Sequence, residues 1–230
     1  MIDWRAIDTV LLDMDGTLLD LHFDSHFWLD HLPRRYAELH HLDEATQETI
    51  RARIIREQGT LNWYSLAYWS RELGVDVVAL KREVQHLIGL RGDALDFLKW
   101  LKQAHPRVVL ATNADRAGLE LKLPLTGLEE YLDAIVSSED LGAAKEEQAF
   151  WFALQEIEPF DPERTLFIDD NPMVLESARE FGIRHLLGIK QPDSQRPEKE
   201  LEEFIALDRF AHLMPDELPD SVMRPHKEVP

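Results

Sequence analysis

Apolar and polar positions along the chain fall into three successive regimes. The first is short. Val10-Leu11-Leu12 is apolar at consecutive positions, which predicts a strand buried on both faces. Over residues 20–89 the spacing changes. Phe23, Phe27, Leu61, Tyr64, Tyr68 and Trp69 recur at three- and four-residue intervals, which predicts helices. Breaks are expected at Pro33, at His40-His41-Leu42-Asp43, at Gly59-Thr60 and at Gly74. A segment of this length is too long for a loop and reads as an inserted helical subdomain.

The third regime alternates. A helix is expected over 91–101, a strand over 107–111, a helix over 115–123 ended by Pro124, and a strand over 133–136. Then come a helix over 145–157 closed by Pro159, a strand over 165–168, a helix over 172–181 with Gly182 just past its end, and a strand over 183–189. Alternating strands and helices predict an α/β fold, a doubly wound parallel sheet. From Gln191 onward the strand signal stops. Residues 200–213 read as one or two outer helices, and 214–230 as a loose, Pro-rich tail. The expected division is a core of 1–19 and 90–214, a helical cap of 20–89 and a tail of 215–230.

Composition narrows the function. Hydrophobic residues make up 44% of the 230, too many for a disordered chain. The formal net charge of −19 predicts a soluble protein repelled by nucleic acid and by anionic membranes. An anionic substrate would be repelled at long range too, so a phosphate site would need local positive charge. The absence of cysteine excludes disulfides, zinc-thiolate sites and cysteine nucleophiles. No signal pattern opens the sequence, and no apolar run approaches the roughly 18 residues of a membrane span. A cytoplasmic location is therefore expected.

Candidate chemistry gathers at the ends of the predicted strands. Asp13 and Asp15 follow the first, two residues apart, and would point the same way if extended geometry persists. Gly16 supplies the sharp turn beyond them. Crowded carboxylates repel, and a hard divalent cation, Mg2+, relieves that repulsion. Thr112-Asn113 follow the second strand, Lys145 opens the helix after the third, and Asp169-Asp170 follow the fourth. Singly these are ordinary: a solvated turn, helix caps, an exposed lysine. Together they occupy the place where open α/β sheets bind ligands, outside the carboxyl ends of the strands.

Asp13-Met14-Asp15-Gly16-Thr17, Thr112, Lys145 and Asp169-Asp170 resemble, in order, the four motifs of the haloacid dehalogenase superfamily. The helical segment after the first motif resembles that superfamily's C1 cap. Leu19-Asp20-Leu21-His22-Phe23-Asp24, Thr60-Leu61-Asn62-Trp63-Tyr64 and the run from Thr165 to Asn171 further resemble the bacterial GMP/IMP 5′-nucleotidases. One departure is visible. Many relatives carry proline beside the motif lysine, whereas Ala144 and Glu146 flank Lys145 here.

The resemblance implies a Mg2+-dependent phosphomonoester hydrolase. Asp13 would be the nucleophile and Asp15 the acid and base. Thr112, Asn113 and Lys145 would hold the phosphoryl group. The ion would sit on Asp13, the Asp15 backbone carbonyl and Asp170, with Asp169 a ligand or directly behind one. Asp15 argues for phosphate chemistry over dehalogenation, because a halide leaves without a proton. The core motifs do not choose the leaving group, so a sugar phosphate or phosphoglycolate stays open beside a purine nucleotide.

The cap should choose it. Trp28, Trp63, Tyr64, Tyr68 and Trp69 could stack on a base or simply pack between helices. Asn62 and Trp63, after the Gly59-Thr60 break, are the expected substrate-facing pair. His22 and His26 share zinc-ligand spacing but lack a third ligand, and read as polar cap residues. A receiver-like phosphoacceptor switch and a silent binding protein are the readings from other classes. Chain order and the helical insertion count against the first, and the filled motif positions against the second. The expected partner is a small phosphomonoester, with no nucleic acid and no membrane, for a monomer or homodimer.

Overall fold

The computed structural model describes residues 2–104, 106–201 and 203–215, so the expected tail lies outside it except for its first residue. Six parallel strands form one sheet: β1 (Thr9–Leu12), β2 (Arg107–Thr112), β3 (Ala134–Ser137), β4 (Thr165–Asp169), β5 (His185–Ile189) and β6 (Ile205–Leu207). Their order is β3-β2-β1-β4-β5-β6. The chain winds outward from β1 on one side and returns to its other side at β4. The switch point therefore lies at the carboxyl ends of β1 and β4, in register Leu12 to Ile168.

Strand alternation sorts the apolar residues into two layers. Val10, Leu12, Val108, Leu110, Leu166 and Ile168 face one of them, which includes α7 (Ala94–Ala104) and α8 (Arg116–Thr126). Leu11, Val109, Ala111 and Phe167 face the other, with α10 (Gln148–Ile157) and α11 (Pro172–Phe181). Both faces are covered, which is why β1 reads as an unbroken apolar run.

Between β1 and α7 lie α1 (His22–His26), α2 (Leu32–Leu39), α3 (Glu44–Arg56), α4 (Leu61–Tyr64), α5 (Leu66–Leu73) and α6 (Val77–Glu83). Phe23, Phe27, Ile54, Trp69 and Val77 pack into a third core, which also takes Leu121 from α8. Side-chain caps start several of these helices: Asp43 accepts from the Thr46 N–H, Thr60 from Trp63 and Ser65 from Tyr68.

Several expectations needed correction. Pro33 does not break the helix. A π-helical turn at Phe27–His31 carries α1 into α2, and the Leu32 N–H reaches back to the Phe27 carbonyl. Pro33 stands in the first turn of α2, where a missing N–H costs little. Pro124 does not end α8 either. The helix runs to Thr126 and stops at Gly127: Leu121 and Leu123, both ahead of the exposed proline, bury their side chains in two different cores and anchor the turn that carries it. Lys145 does not open a helix. It sits in a turn ahead of α10, after a one-turn helix α9 (Ser138–Leu141) that periodicity could not resolve. The region over 200–213 holds β6 and a 3-10 turn (Phe210–Leu213) in place of the expected helices. Only Leu207 of β6 is buried, so no apolar run marks it, and pairing with β5 makes it a strand. Among the described residues no helix is long and apolar enough to cross a membrane.

Candidate active site

Pairing of β1 ends at Leu12, and Asp13 stays attached through its N–H to the Ile168 carbonyl at 3.0 Å. The chain then turns. Gly16 adopts φ +88°, and an added Cβ would lie 2.8 Å from Asp170 Cγ and 3.0 Å from Pro192 Cβ. Glycine is required there twice over, by backbone conformation and by the close approach of the Asp170 loop.

Asp13 and Asp15 line one cavity of about 670 Å³ but answer to different lysines. Lys145 Nζ lies 2.5 Å from Asp13 Oδ1 and 2.7 Å from Asp169 Oδ2. Lys122 Nζ lies 2.7 Å from Asp15 Oδ2 and 2.7 Å from Asp24 Oδ2. Expected repulsion between the two carboxylates is thus met first by buried ammonium groups. Burial and the neighbouring Asp169 and Asp170 push the Asp13 carboxyl well above its usual range, with Lys145 opposing. Burial also raises Asp15, against Lys122. Both lysines are raised: burial disfavours their charge, but their paired carboxylates outweigh it.

Lys145 is held by its backbone at both ends. Its N–H donates to Asn113 Oδ1 at 2.9 Å, and its carbonyl accepts from Trp151 Nε1 at 3.0 Å. Asn113 spends the other end of its amide on Glu146 Oε2 at 3.0 Å, so the whole side chain serves the Lys145 turn. Thr112 is buried, and its hydroxyl accepts the Ala114 N–H at 3.1 Å, which leaves the hydroxyl proton to donate.

Asp13, Asp169 and Asp170 form an all-oxygen cluster whose ligand atoms lie within 4.8 Å of one another. Burial and the Asp169 charge push Asp170 up to about 6, although Lys199 Nζ, at 3.1 Å, opposes. Such a donor set, short of positive charge, fits a hard divalent cation. The Asp15 side chain is not in the cluster, so Asp15 could contribute only its backbone carbonyl. His22 and His26 meet Asp193 and Asp30, at 3.5 and 3.9 Å, and join no metal-type cluster among the described residues.

The helical segment between β1 and α7 supplies Trp28, Gln58, Trp63 and Tyr64 to the cavity wall. Asn62 lies elsewhere, in a separate cavity of about 180 Å³ shared with Arg71 and Glu139. Trp69 is fully buried and packs in the third core beside Trp28. The Tyr64 hydroxyl donates to Glu146 Oε1 at 2.6 Å, joining the helical segment between β1 and α7 to the Lys145 turn. Sequence reasoning missed Lys122, Asp24, Lys81 and Lys199. For Lys122 a signal existed: it falls with Leu119 and Leu123 on the buried stripe of α8, where an unpaired lysine would not be tolerated.

A carboxylate beside an ammonium group, with a second carboxylate on the same cavity, is an arrangement that hydrolytic chemistry can use. The model of the haloacid dehalogenase-like hydrolases matches residues 7–182, and the chain belongs to that family. Within it the chain is a phosphatase. It is 41% identical over 215 residues to the GMP/IMP nucleotidase YrfG of Escherichia coli (strain K12), covering 93% of this chain and 97% of the relative. The YrfG protein of Shigella flexneri matches to the same extent. Among solved structures, the HAD phosphatase from Thermococcus onnurineus superposes with a TM-score of 0.74 at 19% identity. That match covers 90% of this chain and 96% of the other, and shows the shared fold.

Proposed function

We propose that the protein is a cytoplasmic, Mg2+-dependent 5′-nucleotidase that hydrolyses the purine nucleotides GMP and IMP through an aspartyl-phosphate. One observation carries this reading: Asp13, Asp15, Thr112 and Lys145 share a single cavity with the cap residues Trp28 and Trp63. Its volume of about 670 Å³ suits a nucleotide-sized ligand. Extended identity to relatives named as GMP/IMP nucleotidases supports the choice of substrate.

In the proposed reaction Asp13 attacks phosphorus, an acyl-phosphate bond forms, and the bond to the 5′ oxygen breaks. Asp15 gives that oxygen its proton, so the nucleoside leaves as an alcohol. Asp15 then takes a proton from the water that cleaves the aspartyl-phosphate, which returns Asp13 and releases phosphate. Thr112 and Lys145 donate to the equatorial oxygens, where charge accumulates. Asp13, Asp170, Asp169 and the Asp15 carbonyl would hold Mg2+, which offsets the charge of carboxylate and phosphate as they meet. Asn113 contributes by holding the Lys145 turn. Trp63 and Trp28 offer faces to the purine. Asn62, set in the other cavity, takes no part in this reaction.

The test is phosphate release from GMP, IMP, AMP, CMP, phosphoglycolate and several sugar phosphates, with Mg2+ or with a chelator, beside Asp13→Asn. Metal-dependent release favouring GMP and IMP, absent in the variant, is the expected result. Preference for a sugar phosphate or phosphoglycolate would overturn the substrate. Substantial turnover by Asp13→Asn would overturn the covalent route.

A further inference from the structure

Four charged side chains alternate in sign from the catalytic turn into the cap. Asp15 meets Lys122, Lys122 meets Asp24, and Asp24 meets Lys81 at 2.6 Å. Both lysine side chains are almost wholly buried, 2% exposed for Lys122 and 4% for Lys81. Lys81 also stands over the rings of Phe23, Phe27 and Trp28, at 5.1 to 5.3 Å. A buried charge chain of this kind is not an economical way to stabilise a fold, since apolar residues of similar volume do as well.

Asp15 itself is used unevenly. Its Oδ2 is gripped by Lys122, while Oδ1 is shielded from solvent and has no hydrogen-bond partner. An acid that must meet one leaving oxygen needs its carboxyl plane fixed.

We propose that Lys122 is a positioning residue for Asp15: by holding Oδ2 it fixes the plane of the carboxyl that passes the proton, and Asp24 of the cap helix α1 sets where Lys122 stands. The inference rests on the reading of Asp15 as the acid. It makes the cap more than a substrate wall, because a cap carboxylate orients the acid through one core lysine. The proton path is simple. The Asp15 carboxyl gives its proton to the departing 5′ oxygen as the ester P–O bond breaks and the bond to Asp13 forms.

The experiment compares kcat/KM for GMP and for 4-nitrophenyl phosphate in wild type, Asp15→Asn and Lys122→Met. This constant stops at loss of the leaving group, so hydrolysis of the aspartyl-phosphate does not enter it. Nitrophenolate departs without a proton, whereas the nucleoside alkoxide does not. For Lys122→Met the expected result is a fall of about 100-fold with GMP, in the range of general acid catalysis, and of no more than about threefold with 4-nitrophenyl phosphate. Equal falls for the two substrates, or no fall, would overturn the proposal.

Asp15→Asn separates the two layers of argument. If it shows no dependence on the leaving group, the acid reading fails and takes the positioning role with it. If it shows the dependence and Lys122→Met does not, the positioning role alone fails. Should Lys122→Met not fold, Lys122→Gln retains a donor one bond short of both carboxylates. It must show the same substrate-selective loss, to at least about fivefold, or the proposal falls.

Discussion

Replacing Gly16 by alanine should destabilise the protein through two separable effects. The first is conformational. At φ +88° an L-residue pays the left-handed penalty of about 1–2 kcal/mol. The second is steric. The new methyl would lie 2.8 Å from Asp170 Cγ, 3.0 Å from Asp170 Oδ2 and 3.0 Å from Pro192 Cβ. None of these atoms is the free end of a flexible chain: one group is a ring, the other a short carboxylate paired with Lys199. Overpacking of this kind costs about 1–3 kcal/mol, so the combined loss is about 2–5 kcal/mol. For a chain of this size that lowers Tm by about 5–15 °C.

Gly74→Ala is the control. Its φ of +66° imposes the backbone penalty, but nothing lies within 4 Å of the added carbon. Urea unfolding of both variants in chelator isolates the collision as the difference between them. Because the displaced group belongs to the acidic cluster, the rise in Tm on adding Mg2+ should also shrink in Gly16→Ala and not in Gly74→Ala. Equal losses in the two variants, with an unchanged response to Mg2+, would refute the reasoning.

The other predictions concern the cap. Asp24→Asn leaves Lys81 without a carboxylate and should cost about 3 kcal/mol at pH 7. Burial alone would raise Asp24, but Lys122 and Lys81 hold it below its ordinary 3.8, so its stabilisation is present above that value and lost as pH falls below it. The gap between wild type and variant, followed by chemical unfolding, should therefore close toward pH 3; a constant gap would contradict the assignment. Tyr64→Phe removes the hydrogen bond to Glu146 and should cost about 1–2 kcal/mol in unfolding free energy, with a neutral effect disproving the cap-to-core tie. Trp63→Ala should raise KM for GMP more than KM for 4-nitrophenyl phosphate, and equal shifts would mean that Trp63 only packs.

Asp13, Thr112 and Asp169 are legible in the sequence because they stand at or just beyond strand ends, and these strands announce themselves locally. Val10 to Leu12 and Leu166 to Ile168 are apolar on both faces, and the acids begin where those runs stop. The helix Pro172–Phe181 is equally plain, with proline at its start and Gly182 at φ +107° past its end. Such features depend on a few neighbouring residues, so the first five strands and the placing of Asp13, Thr112 and Asp169 at their ends follow from sequence alone.

What pairs with what is decided only in three dimensions. β6 has one buried residue, and the free edge of β5 makes it a strand. Asn62 and Trp63 are adjacent in sequence but line different cavities, since neighbours on a short helix face different ways. Asp13 and Asp15, two residues apart, are held by lysines 132 and 107 positions further along, Lys145 and Lys122. Charge compensation in a buried site is set by distance in space, and a sequence carries that distance only through the fold.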